Sequence, residues 1–191
     1  MANGILKARS IWMLGLVILA VLAGIVAAGR FSPMPLDDTY VDAGKAAESF
    51  GTEKVLWVTS NKGMPVRVAY LTFSGMTTFP SQIDSASLDI YVRNVEQPGE
   101  VSLHLLDRPI MSYMAWEDRE EYDEERLATL NIEGTGWHTF DAAALVKKAA
   151  LECSEGCPFT VVLVAEGSAS IGFASIDSAE NKAKMEYRTL E

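Results

Sequence analysis

"SASLDIYVRN", residues 85–94, alternates without a break. Ala86, Leu88, Ile90 and Val92 fall on one side of an extended chain, and Ser87, Asp89, Tyr91 and Arg93 on the other. Successive side chains of a β-strand point to opposite faces, so this period of two predicts a strand with one buried face. "GEVSLHLLD" (99–107) does the same with Val101, Leu103 and Leu105 inward. The link "VEQPG" carries Pro and Gly and reads as a turn, so the two strands are expected to pair antiparallel.

The same reading extends in both directions. "VLWVTS" (55–60) and "VRVAYLTF" (66–73) flank the turn "NKGMP". "PFTVVLVAE" (158–166) is continuously apolar and β-branched, which suits a central strand buried on both faces. "SASIGFAS" and "KAKMEYRTL" follow. About nine or ten strands at this spacing predict an all-β antiparallel sandwich. One helix interrupts them. "DAAALVKKAALE" (141–152) has Asp141 as N-cap and Lys147 and Lys148 in its C-terminal half, where the helix dipole favours cations. Leu145 and Ala149 share one side, so this short helix is expected to lid one end. The acidic "EDREEYDEER" (117–126) reads as a solvated excursion between strands.

The first thirty residues differ in kind. Ile11 to Ala28 is an apolar run of eighteen residues, at the lower edge of what spans a bilayer. Lys7 and Arg9 precede it; Asp37 and Asp38 lie beyond. The positive-inside bias puts the amino terminus in the cytoplasm and the remainder outside. Two readings stand: a retained transmembrane anchor, or a signal peptide cut after Val26-Ala27-Ala28. The organisation is therefore read as 1–30 signal-anchor or signal peptide, 31–37 linker and 38–191 domain. Roughly 160 residues are enough to bury a core without metal or disulfide scaffolding. Cys153 and Cys157, the only two cysteines, read most simply as a local disulfide in an oxidising compartment, with free thiols or a metal as the alternatives.

Net charge is −10 and the pI about 4.7, which argues against nucleic acid and anionic headgroups as partners. No nucleophile elbow, phosphate loop, dinucleotide fingerprint or zinc-protease helix occurs. His104 and His138 are not spaced as a ligand pair. With 26 acidic residues, accidental carboxylate pairs carry no weight for glycosidase chemistry. Asp107, Glu117 and Asp141 read as strand-end solvation. The chain is accordingly expected not to be an enzyme. A contact surface without catalysis would use aromatic platforms with polar neighbours. Tyr91, Tyr113, Trp116 and Tyr122 are candidates, with Glu117 beside Trp116 on a hydrogen-bonding rim. Trp57 and Trp137 read as packing, since tryptophan in a sandwich is usually buried.

The order of features resembles the DNRLRE (disaggregatase-related) domain, a jelly-roll module of surface and secreted proteins grouped with carbohydrate-binding modules. "DTYV" with Gly44, "SFGTEKVLWV", "VAYLTF", "FPSQIDSASLDIYV", "AWED" (Trp116, Glu117), "GWHTFDAAALV" (Trp137, Asp141, Val146) and "IGFASIDS" follow the family's sequence of elements over nearly all of 38–188. The final "KMEYRTL" lacks the family's Pro, and the second Trp of its Trp-rich loop is absent. The resemblance implies a jelly-roll, non-catalytic glycan recognition at the cell surface, and a structural calcium ion to which Asp38, Asp141 and Asp177 would contribute. The competing expectation is a structural subunit of a surface filament, layer or membrane-bound assembly, in which "FSPMPLDDTYVDAG" serves as a tether or as a strand donated to a neighbour.

Overall fold

A computed structural model of the chain describes residues 29–152 and 155–190. Residues 11–28 and Cys153 lie outside them, so the leader and the cysteine pair stay as expectations. Among the described residues no helix is long and apolar enough to cross a membrane.

Arg30–Leu190 forms one unit, an all-β curled antiparallel sheet of eleven strands with one helix. The strands are β1 (Arg30–Phe31), β2 (Pro35–Asp42), β3 (Val55–Asn61), β4 (Met64–Phe73), β5 (Ile83–Gln97), β6 (Gly99–Leu106), β7 (Ala128–Ile132), β8 (Gly136–Asp141), β9 (Phe159–Ala165), β10 (Ser170–Ala174) and β11 (Lys184–Thr189). The helix, α1, is Ala143–Glu152. Strand order is β1-β11-β5-β10-β3-β4-β9-β6-β7, with β2 on β4 and β8 on β5.

The turn between β3 and β4 is where the sheet folds over. Lys62 and Gly63 have φ of 52° and 83°, the paired left-handed conformation of a two-residue hairpin. The register shifts between Thr59 and Ser60; a bulge there bends and twists the strand. Past Arg67, β4 leaves β3 and pairs with β9 from Val68 to Phe73. One half of the sheet is then β1, β11, β5, β8, β10 and β3, and the other is β2, β4, β9, β6 and β7. Their inner faces share one core that includes Leu56, Val58, Leu71, Leu88, Ile90, Leu103, Leu163 and Phe173. As expected, β9 is buried at every residue. Helix α1 packs its Leu145, Val146, Ala149 and Ala150 into the same core. Asp141 Oδ1 accepts from Ala143 N–H at 3.0 Å, the N-terminal cap the sequence predicts.

One pairing expectation changes: β5 and β6 do not pair. β5 joins β8, β10 and β11, while β6 joins β9 and β7. The link at Pro98 is an arch from one half to the other. Both strands bury an apolar face, and the arch lets them face each other across the core instead of lying side by side. A Cβ at Gly99 would meet Ala169 Cβ at 2.8 Å, so the crossing is packed tightly. The acidic stretch 117–126 has no buried residue, as expected of a solvated excursion, but the longer connection that carries it does bury apolar side chains. The segment from Asp107 to Leu127 lies over the outer face of the second half, where Ile110 and Met114 bury against Val41, Val68, Tyr70, Val162 and Val164. Those strands carry apolar residues on both faces, so the outer one needs a cover.

The stretch read as a linker enters the sheet. β1 pairs with β11, Phe31 stacks on Tyr187 at 5.0 Å, and Pro35 begins β2, which pairs along β4.

Candidate functional site

The alternation of β5 that buries Leu88, Ile90 and Val92 turns Asp89, Tyr91 and Arg93 outward. On β8, Phe140 lies opposite Leu88 and is buried, which puts Trp137 opposite Tyr91 and Thr139 opposite Asp89 on the outer face. Gly136, with φ of 119°, opens β8 in a backbone conformation that only glycine adopts freely. Trp137 is 46% exposed. Its ring meets that of Tyr91 edge-on, with centroids 5.5 Å apart and an interplanar angle of 78°, a favourable quadrupole arrangement. Lys184 Nζ lies 5.3 Å from the Trp137 ring, and Thr139 Oγ1 donates to Asp89 at 2.6 Å.

Beside this pair is an open depression of about 420 Å³ lined by Val55, Tyr91, Arg93, Asn94 and Asn181. Gly172 leaves it room: a Cβ there would come within 2.8 Å of Val55 Cγ1 and 3.4 Å of Trp57 Cε2. The Nε of Arg93 is buried with no hydrogen-bond partner in the protein, unusual for a buried donor. Trp57 is half-buried under the Arg67 guanidinium at 5.7 Å, and Arg67 is pinned by Asp42 at 2.7 Å. The outer face thus offers one open aromatic pair and a set of polar donors.

The expected residues divide between two places. Tyr91 is on this face. Trp116 and Tyr122 line a separate cleft of about 360 Å³ over the second half, with Pro65, Arg119, Glu120 and Glu124. There Arg119 covers the Trp116 ring at 4.1 Å. Tyr122 packs against Tyr70 and His104 with centroid separations of 6.5 and 5.1 Å, and its burial raises its pKa. Glu117 belongs to a short turn whose N–H bonds to Ala46 O at 3.1 Å. Tyr113 is 69% exposed. The sequence reading missed Trp137, Asn94 and Asn181. The parity of Phe140 was the available signal for Trp137.

Asp38, Asp141 and Asp177 do not form one cluster: Asp38 and Asp177 are neighbours through Ser175, and Asp141 is not with them. Asp141 caps α1, whereas Asp38 is 1% exposed and accepts from Ser175 Oγ and Ile176 N–H at 3.0 and 2.7 Å. Among the described residues no three His, Cys, Asp or Glu side chains are grouped to hold a metal ion. The donor set does not fit the calcium ion the resemblance implied.

One Ser–His contact does occur. His104 Nε2 lies 2.9 Å from Ser102 Oγ and His104 Nδ1 lies 2.9 Å from Asp123 O. A carbonyl only accepts, so Nδ1 carries the proton. Ser102 has no exposed surface and also bonds Glu166 at 2.8 Å. Burial lowers the pKa of His104. A nucleophile must reach its substrate, and this serine is sealed under the 107–127 segment. The trio ties that segment to the sheet.

The sequence model of carbohydrate-binding module family 96 matches residues 30–189, which spans every strand from β1 to β11. The chain belongs to that family. No curated protein matches it.

Proposed function

We propose that this chain is a non-catalytic glycan-binding module whose contact surface is the Tyr91–Trp137 face of β5 and β8. Membership of a carbohydrate-binding module family supports the ligand class. The observation that carries the choice of surface is Trp137, a large aromatic half open to solvent and braced edge-on by Tyr91. A sugar ring presents an apolar C–H face to such a platform, and its hydroxyls take the surrounding polar groups. Arg93, Asn94 and Asn181 supply donors on one side and Lys184 on the other, where Thr139 Oγ1, its hydrogen held by Asp89, can accept.

The curled sheet is read as a jelly-roll sandwich, and the order of motifs supports a likeness to the DNRLRE type. Delivery outside the cytoplasm follows from the apolar run at 11–28 and its charged flanks, whether as anchor or as cleaved signal. In that compartment Cys153 and Cys157 pair as a disulfide.

The test is titration calorimetry of the domain with soluble xylan, mixed-linkage β-glucan and polygalacturonate. At least one is expected to bind. Trp137→Ala should then weaken binding by ~10-fold or more, about 1.4 kcal/mol, while Trp116→Ala stays near wild type. Equal binding by wild type and Trp137→Ala would place the ligand elsewhere.

A further inference from the structure

We propose that Asp38 is a positioning residue for this face: it fastens the 175–183 connection between β10 and β11, so that Asn181 closes the depression beside Tyr91. The inference builds on the glycan reading above. Asp38 stands on β2, in the half of the sheet that does not carry the face. Each of its carboxylate oxygens takes one donor from the foot of the connection, Ser175 Oγ on Oδ1 at 3.0 Å and Ile176 N–H on Oδ2 at 2.7 Å. Ser175 Oγ in turn accepts from Asp177 N–H at 3.0 Å. The Lys54 carbonyl takes Ser175 N–H and Ser178 Oγ at 3.2 and 3.3 Å. Asp38, Ser175 and Ser178 are all buried, so the foot is a closed polar knot within the fold.

Beyond Ser178 the connection runs through exposed and half-exposed residues until Ala183 re-enters the core. Its tip holds Asn181 at φ 62°. A left-handed asparagine is uncommon and persists where its surroundings hold it. Asn181 lines the depression with Tyr91, Arg93 and Asn94. The chain then leads directly to Lys184, whose ammonium stands over Trp137. A short loop with few apolar contacts takes its order from its ends. Asp38 supplies two of the bonds at one end, reaching across from the other half of the sheet.

The experiment compares wild type, Asp38→Ala, Asp38→Asn and Ser175→Ala in the full domain. Two quantities are read: amide hydrogen exchange of residues 176–182, and affinity for whichever of xylan, β-glucan and polygalacturonate binds wild type. Asparagine can accept from Ile176 N–H through Oδ1 and donate to Ser175 Oγ through Nδ2, at the loss of the acceptor for the Ser175 hydroxyl hydrogen, so it keeps both contacts and should stay much closer to wild type than alanine in both. Asp38→Ala should speed exchange by ~10-fold or more and weaken binding by ~5- to 10-fold. Ser175→Ala should show the same direction, and it decides the matter if Asp38→Ala does not fold. Unchanged exchange in both variants overturns the fastening. Faster exchange with unchanged affinity overturns the positioning role. If no polysaccharide binds wild type while exchange still rises, the glycan reading fails and the positioning role with it, but the fastening stands.

Discussion

Phe173→Ala is expected to destabilise the domain by ~3–5 kcal/mol, the range for losing a fully buried phenylalanine. Phe173 is 1% exposed. It lies on the inner side of β10, opposite Leu56 of β3 and Val92 of β5. Its neighbour Gly172 faces the other way, where an added Cβ would press on Val55 and Asn94 of the depression's lining. The same short strand therefore packs the core with one residue and shapes the site with the next. Truncation leaves a cavity that three hydrogen-bonded strands cannot collapse to fill without breaking register. Urea unfolding followed by tryptophan fluorescence should show a lowered midpoint at unchanged slope. A loss below ~1 kcal/mol would mean that the inner faces of the two halves are not closed on one another.

The second large effect is electrostatic. Burial pushes the pKa of Asp38 up from 3.8 to about 6, against the lowering effect of the Ile176 and Ser175 hydrogen bonds; the nearby Asp177 and Asp37 charges add to the rise. The folded protein holds that proton more tightly than the unfolded chain does. The contribution to stability is therefore fully present below the unfolded pKa and is lost as pH rises toward and through about 6. Burial raises Asp37 as well, in the same sense, and the lowered His104 acts in the opposite sense. Comparison with Asp38→Asn cancels both. The stability of the asparagine variant relative to wild type should increase by ~2–3 kcal/mol between pH 4 and pH 7. Parallel curves for the two proteins would show that the Asp38 carboxylate is solvated in solution.

Much of this fold can be read from residue order because burial imposes a strict rule on strands. The alternation at 85–94 and the unbroken run at 159–165 each meet their expected environment. So does the helix after Asp141, where a cap and an apolar side coincide; Lys147 and Lys148 fall in mid-helix rather than in its last turn, and Lys148 pairs with Asp123 and Glu125 instead. Pairing was less legible. A Pro-Gly link between two half-buried strands serves equally for a hairpin or for an arch, and only the whole set of inner faces decides which. The acidic stretch 117–126 is solvated as its charge suggests, but the rest of the connection from Asp107 was not legible. Its acids face water, while Ile110, Met114 and Tyr122 are spaced irregularly and bury an outer face that no local pattern announces.

The candidate face was half legible. Tyr91 follows from its polar strand neighbours. Trp137 obeys the same parity, set by Phe140, but a general expectation about sandwich tryptophans outweighed it. Asn181 has no strand pattern to place it; it sits in a loop conformation at φ 62°, on a connection whose foot at Ser175 and Ile176 is bonded by the sequence-distant Asp38. Trp116 and Tyr122, read as platform residues, are covered by Arg119 and by packing against Tyr70 and His104.

The most direct test of the glycan face uses the indole N–H signals in a two-dimensional NMR spectrum, recorded during titration with the bound polysaccharide's oligosaccharide. The chain has four tryptophans; Trp57, Trp116 and Trp137 belong to the domain, and single substitutions assign them. Saturable movement of the Trp137 signal, with Trp116 unmoved, is the predicted result. Movement of Trp116 while Trp137 stays in place would contradict the account.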